Sequence, residues 1–432
     1  MPLQALIDHL YAADPLTPAV ERKARLLLLD TLACIAAGLQ APEVARIAQS
    51  FARLSPGGFR WPGSEASMSA SDAAFVGGIA ACWDEACEGL ARSHGRPGIP
   101  AIAAGLPLAV ANGASFADLL RAVVTGYETG GRLGEVMRIR PGMHVDATWS
   151  CMDAAATAAR LIGLDAAGTI AAIDLAACQM PASLYLPVRQ GMTGRNTYLG
   201  HGARVGIDCA LAVGAGIGSP QGAIESAWRV VLGGTGEFPL LAPASLSLIE
   251  EGYFKPYAAV RHVHYGARAA LELRPAIEAR LKSIDAIRLD IYGEAITYCG
   301  NRAPRTPIQA QFSLSYGLAA ALVLGDLGPE AYRHIDDPLI RALEAKMEIV
   351  ENTERTQANR RGARLDIRIA GETLTATVDA VEGDPGLPMS EASVCRKFLS
   401  YTATALGKDT AERLMRTVLD APLDSPARAI VG

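Results

Sequence analysis

Residues Trp83 to Gly98 read WDEACEGLARSHGRPG and set three acids, two arginines and one histidine into a stretch flanked by Ala, Gly, Val, Ile and Leu. Charged groups are rarely buried unless paired, so such a cluster marks either a solvated helix end or one wall of a pocket. Asp84, Glu88 and His94 are the candidates for chemistry, because neighbouring carboxylates and imidazoles tune each other's pKa for proton transfer. If the preceding helix continued, Asp84 and Glu88 would share one of its faces, with His94 in a glycine-rich exit.

Further islands of reactive residues follow. In RIRPGMHVDATWS, His144 lies between a glycine turn and a helix start. In RQGMTGRNTYLGHGARVG, Arg189, Arg195, Asn196 and His201 precede a helix. Arginine beside helix N-terminal amides suits a carboxylate anion, and the stretch lacks the GxxxxGK[ST] spacing of a phosphate loop. FKPYAAVRHVHYGA brings Lys255, Tyr257, Arg261, His262 and His264 close together. Two histidines two residues apart could start a metal site, but no third ligand follows, so no metal is expected. In AQFSLSYGLAAAL, Tyr316 interrupts an apolar helix, as a core tyrosine or as a proton donor. Together the islands supply acids, imidazoles, cations and a phenol, without a nucleotide loop or metal set. That inventory suits proton abstraction beside a carboxylate of a small anion, with no cofactor.

The elements that must position these groups are mostly helices. Thr17-Pro18 reads as a cap followed by a first-turn proline, and ERKARLLLLDTLACIAAG then runs to Gly38. Ser71 and Asp72 are candidate caps for DAAFVGGIAACW, and Ser115 with Asp118 matches a capping box. Ala154, Ala155, Ala158 and Ala159 would allow close helix approach. After about Gly252 the texture changes. SIDAIRLDIYG alternates as a strand, and ARLDIRIAGETLTATVDAV reads as a hairpin about Ala370-Gly371-Glu372. AQFSLSYGLAAALVLG and DDPLIRALEAK read as helices between them, and helix returns after Gly383-Asp384-Pro385, where Ser390 can cap.

The fold class expected is mainly α: a large all-helical domain built from residues 1–248 and 388–432, with a smaller inserted α+β lid over residues 249–387. Of the 432 residues, 50% are hydrophobic and 20% charged, which permits a large core and argues against disorder. The formal charge of −5, with no basic stripe, argues against a nucleic-acid partner. The eight cysteines form no CxxC pair and read as reduced core thiols. The start does not read as a signal peptide and no apolar run reads as a membrane span, so a cytoplasmic protein without a membrane partner is expected.

In their order along the chain these segments resemble the MmgE/PrpD family, which includes 2-methylcitrate dehydratase, cis-aconitate decarboxylase and iminodisuccinate epimerase. The likeness runs through LLLLDTLACIAAG, the acidic window, GYETGGRLGE, ATAARLIGLD, GRNTYLGHGARVG, FKPYAAVRHVH, QAQFSLSYGLAAAL and the final Lys397-Phe398 helix. It implies a helical domain with an α+β lid, usually a homodimer. It also implies a lyase, dehydratase-like, on a small di- or tricarboxylic acid; an isomerase, an epimerase, a decarboxylase or a non-catalytic carboxylate binder are the alternatives. Carried over by position, Asp84 and His94 match the family's acid and histidine, Lys255 its lid lysine and Tyr316 its tyrosine. Glu88 replaces a threonine, Arg195 a lysine and Val260 a histidine, and the usual His-Pro-Gly becomes His94-Gly95-Arg96-Pro97-Gly98. The resulting expectation gives Asp84, Glu88, His94, His144, Lys255, His262 and Tyr316 catalytic roles. Arg195, Asn196, Arg261 and His264 would bind the acid.

Overall fold

The computed structural model describes residues 3–239, 241 and 247–431. Its helices begin where side chains satisfy the first free amides. Thr17 accepts from Val20 N at 3.3 Å, and Pro18 fills the first turn, where its missing N–H costs nothing. Pro18–Gly38 then buries its leucine run. Ser115 and Asp118 close the capping box of Phe116–Val136, and Ser390 caps Glu391–Leu406 by accepting from Ser393 N. The helix Ala70–Cys82 starts earlier than expected, because Ser69 rather than Ser71 or Asp72 is its cap.

Ala70–Cys82, Ser150–Leu161 and Thr197–Gly214 pack with their backbones nearly touching. A Cβ at Gly78 would come within 2.5 Å of Gly200 Cα, and one at Gly206 within 2.5 Å of Ala154 Cβ. Small residues at these crossings are therefore a packing requirement. Phe116–Val136 and Gly98–Ala111 pack on Ser150–Leu161, so the first half forms a layered helical core.

The second half contributes one four-stranded sheet, in the order β2-β1-β3-β4, with β1 Ile284–Ile291, β2 Met347–Glu351, β3 Ala363–Ile369 and β4 Glu372–Val378. β1 and β2 are parallel; the other pairs are antiparallel. Ala370 and Gly371, at φ 49° and 84°, form the two-residue hairpin turn. His264–Ile277 lies on β3 and β4 and also packs against Leu314–Leu324. The C-terminal helix Glu391–Leu406 returns to Pro18–Gly38, where Lys397 Nζ donates to Asp30 Oδ1 at 2.6 Å inside the core.

Three local readings are corrected. The helix entering the acidic window stops at Cys82, so Asp84 and Glu88 share no helix face. Beyond it the chain turns through Glu85 at φ 53° and His94 at φ 54°, while Gly89 pairs with Tyr253 and Leu90 with Gly95. AQFSLSYGLAAALVLG splits into Pro307–Gln311 and Leu314–Leu324, with Ser313 capping the second. Met347–Glu351 is a strand that the sequence reading left unassigned. Cys178 is exposed and Cys395 half-buried; the other cysteines are buried and none is bridged. Among the described residues no single helix is long and apolar enough to cross a membrane. The bent pair Pro18–Gly38 and Pro42–Leu54 passes that test only jointly, across a 95° break.

Candidate active site

Glu85 lies three residues beyond the helix end at Cys82, with a left-handed backbone at φ 53° and its side chain buried. Such a conformation is uncommon and costly for a residue with a Cβ, and it persists where surrounding contacts over-determine it. Here the contacts are three buried cations. Lys255 Nζ donates to Glu85 Oε1 at 2.8 Å and to the Glu85 carbonyl at 2.9 Å. Arg195 Nη2 donates to Glu85 Oε2, and Arg96 Nη1 reaches the same oxygen at 3.3 Å. Arg96 also donates through Nη2 to Asp146, whose Oδ2 lies 3.9 Å from Arg195 Nη1. Burial alone would raise both carboxyls. The charges of Lys255, Arg96 and Arg195 outweigh it at Glu85 and hold its pKa well below the usual range; Arg96 foremost, with Arg195, lowers Asp146 less strongly.

These groups wall a cavity of about 290 Å³, completed by His94, His144, Arg261, His262, Phe312 and Arg361 among others. It meets a larger outer chamber of about 740 Å³, with which it shares Ala91, His94, Glu294 and Arg361. Arg195 is 1% exposed, and its Nε and Nη1 have no hydrogen-bond partner among the described residues. Buried donors left unmade are costly, and Arg195 with Lys255 makes this wall of the cavity cationic.

The imidazoles are neutral. His144 Nδ1 accepts from Asp146 N at 3.1 Å, which leaves the ring proton on Nε2, and the ring stacks on Tyr185. Burial brings its pKa down to about 4; Arg195 and Arg96 add to this against the pull of Asp146. His262 Nδ1 is 2.7 Å from Tyr292 Oη, and the ring stacks on Tyr298. Burial, then the charges of Arg361 and Lys255, bring its pKa down to about 3.

Thus the structure brings His94, His144, Lys255, His262, Arg195 and Arg261 to one cavity, although His94 is exposed at its rim. Arg261 is already engaged there. It grips Asp384 through Nε and Nη2 and donates to the Val381 and Glu382 carbonyls, which anchors the Gly383-Asp384-Pro385 turn. The remaining candidates stand elsewhere. Asp84 is half-buried outside the cavity wall, and burial raises its pKa to about 7. Glu88 accepts from Gly98 N at 2.8 Å, capping the helix Gly98–Ala111, and burial raises its pKa to about 8. Tyr316 Oη donates to the Ala331 carbonyl and is fully buried beside Tyr332. His264 bonds the Ala259 carbonyl at 3.0 Å and lies in the core. Asn196 is fully buried and does not line the cavity, and neither of its amide atoms is partnered among the described residues.

Sequence reasoning passed over Glu85, Arg96 and Asp146. Each sat inside a quoted island, and Arg96 lies in the altered stretch His94-Gly95-Arg96-Pro97-Gly98. Among the described residues no three His, Cys, Asp or Glu side chains group as metal ligands.

The family model described as the MmgE/PrpD N-terminal domain matches residues 8–238, and that of the MmgE/PrpD C-terminal domain matches residues 257–421. The chain belongs to the MmgE/PrpD family. No curated protein matches the sequence. Within this MmgE/PrpD chain the cavity draws on both matched regions: Glu85, Arg96, His144 and Arg195 lie in the first, and His262 and Arg361 in the second. Membership in the family suggests a dehydratase-like role.

Proposed function

We propose that the protein is a cofactor-independent lyase of dehydratase type, removing water from a small carboxylic acid by abstraction of the proton α to a carboxylate. One observation carries the reading: the buried cations Arg195 and Lys255 line one cavity with two neutral imidazoles. Arg195 and Lys255 hold the carboxylate and stabilise the charge that develops on it as the α-proton leaves. His262 takes that proton on Nε2, with Nδ1–H directed to Tyr292 Oη. His144, with its proton on Nε2, orients the β-hydroxyl by donating to it. The His262 imidazolium then returns its proton to the departing hydroxyl. One C–H and one C–O bond break, the C=C bond forms, and water leaves. The fixed cations around Glu85 and Asp146 disfavour a divalent ion, so activity should survive chelation.

A second reading has one support, the presence of two imidazoles on one cavity. Protonation of the same carbanion from its other face would make an epimerase. The test is a panel of 2- and 3-hydroxy acids and their unsaturated counterparts incubated with the protein in D₂O and followed by NMR. Dehydration appears as vinylic signals, and epimerisation as deuterium uptake with inversion. Absence of both across the panel refutes the lyase and the epimerase alike.

A further inference from the structure

The outer chamber of about 740 Å³ is lined by three arginines, Arg355, Arg360 and Arg361. Two of them are neutralised, Arg355 by Asp379 at 2.6 Å and Arg360 by Glu354 at 2.8 Å. Asp384, also on the chamber wall, is held by Arg261 at 2.7 Å. Among the described residues Arg361 alone of the three has neither an ion pair nor a hydrogen bond through its guanidinium. It stands at the throat, where the chamber and the inner cavity share Ala91, His94, Glu294 and Arg361. Glu294 attracts it from beyond ion-pair distance and leaves its fork free. The turn that carries Arg361 is built from specific contacts. Asn359 adopts a left-handed φ of 49°, Arg360 N donates to the Arg355 carbonyl at 2.9 Å, and Arg355 Nη1 donates to the Arg361 carbonyl at 3.2 Å. After burial, the charges of Arg361 and Lys255 are what bear on the His262 ring, so the ring stands within reach of a cation at the throat and of one at the inner wall.

We infer that Arg361 is a specificity-determining residue, which grips a second anionic group of the acid at the throat while Lys255 and Arg195 receive the first carboxylate at the inner end. The inference rests on the lyase reading for placing the reacting carbon at His262. A guanidinium without a partner matches a carboxylate through two parallel N–H donors, which fixes orientation as well as charge. An acid held at both ends presents one carbon to His262, whereas an acid held only at the inner end can turn about that contact. Arg360, next in sequence but already paired with Glu354, supplies the internal comparison.

The test uses probes with no hydroxyl to lose, so it does not depend on turnover. Butyrate, succinate, glutarate and tricarballylate are titrated into the full-length protein by calorimetry at matched ionic strength. The tightest of the polyacids should bind at least about tenfold more tightly than butyrate, the effect of one charge-assisted contact. Arg361→Gln should remove that advantage and leave butyrate within about twofold of its wild-type affinity. Arg361→Lys should keep part of it, since the charge remains without the fork, and Arg360→Gln should keep all of it. Arg361 is exposed, so thermal melts of its variants should stay near the parent value. A polyacid advantage that survives Arg361→Gln, that Arg360→Gln removes as well, or that the wild type does not show overturns the inference. Binding that depends on Arg361 without exchange or elimination in D₂O refutes the lyase reading and leaves this one standing. A dehydration whose kcat/KM is unmoved by Arg361→Gln does the reverse.

Discussion

At the scale of single residues, the imidazoles decide what the cavity can do. A base held at a pKa of about 3 is weak until its surroundings change. Part of the depression at His262 comes from the charges of Arg361 and Lys255, and an anion bound beside them offsets that part. His262→Asn should therefore lower kcat by about 10² to 10⁴, the range for loss of a general base. His94→Ala, at the exposed rim, should change kcat far less. Steady-state kinetics with parallel melts checks both, and equal losses would remove His262 from the base role. Stability supplies an independent check. A free imidazole titrates near 6.5, whereas His144 in the fold titrates at about 4. Between these values the unfolded chain takes up a proton that the native protein does not. The contribution of His144 is thus complete above about pH 6.5 and is lost as pH falls toward 4. His144→Gln should show a smaller drop in urea midpoint from pH 7 to pH 5 than the parent. An undiminished drop would mean that His144 is not the neutral buried ring described.

At the scale of elements, the acidic window is a loop held by its own side chains. Glu88 caps the helix Gly98–Ala111 through Oε1, while its Oε2 is buried without a partner among the described residues. Its pKa of about 8 lies above that of a free carboxyl, so the sign is opposite to that of His144. The stabilisation is present below the unfolded value of about 4.3 and is lost as pH rises toward 8. Glu88→Gln keeps an acceptor for Gly98 N and cannot ionise. It should be nearly neutral at pH 5 and more stable than the parent at pH 8, whereas Glu88→Ala should cost about 1–3 kcal/mol at both, by orphaning a buried amide. Chemical denaturation at the two pH values checks the pair. The same element shows where sequence was a sufficient guide. Caps at Thr17, Ser115 and Ser390 and the Ala370-Gly371 hairpin depend on residues within a few positions of one another, so they could be read directly. The course of the loop beyond Cys82 depends on a distant segment: Gly89 pairs with Tyr253, and a Cβ at Gly89 would come within 2.5 Å of Tyr253 Oη. Met347–Glu351 likewise is a short edge strand whose pairing with β1 is not announced by its own alternation.

At the scale of the whole molecule, the cavity exists because separate stretches of chain converge on Glu85. Arg195 reaches it from 110 positions away and Lys255 from 170, which is why a reading by neighbourhood chose Asp84 and Glu88 instead. A further long-range contact fixes the loop itself. Lys397, on the C-terminal helix, donates to Asp30 Oδ1 and, at 2.6 Å, to the carbonyl of Ala86, the residue next to Glu85. Asp30 is fully buried and Lys397 nearly so, and burial works against the charge on each. Removing one partner from such a pair leaves an uncompensated charge, so Lys397→Met should cost about 3–5 kcal/mol. Removing both by Asp30→Leu with Lys397→Met replaces the pair by apolar groups and should recover most of that loss. The double variant still lacks the donor to Ala86. Stability and site geometry should therefore part company: Tm returns toward the parent value while KM for the acid stays raised, because Glu85 and the cations it holds are no longer fixed from behind. Thermal melts and steady-state kinetics on the two variants test this together. A double variant as unstable as Lys397→Met would show that the ion pair is not what the single change disrupts. Recovery of both Tm and KM would show that the Ala86 contact does not position the site.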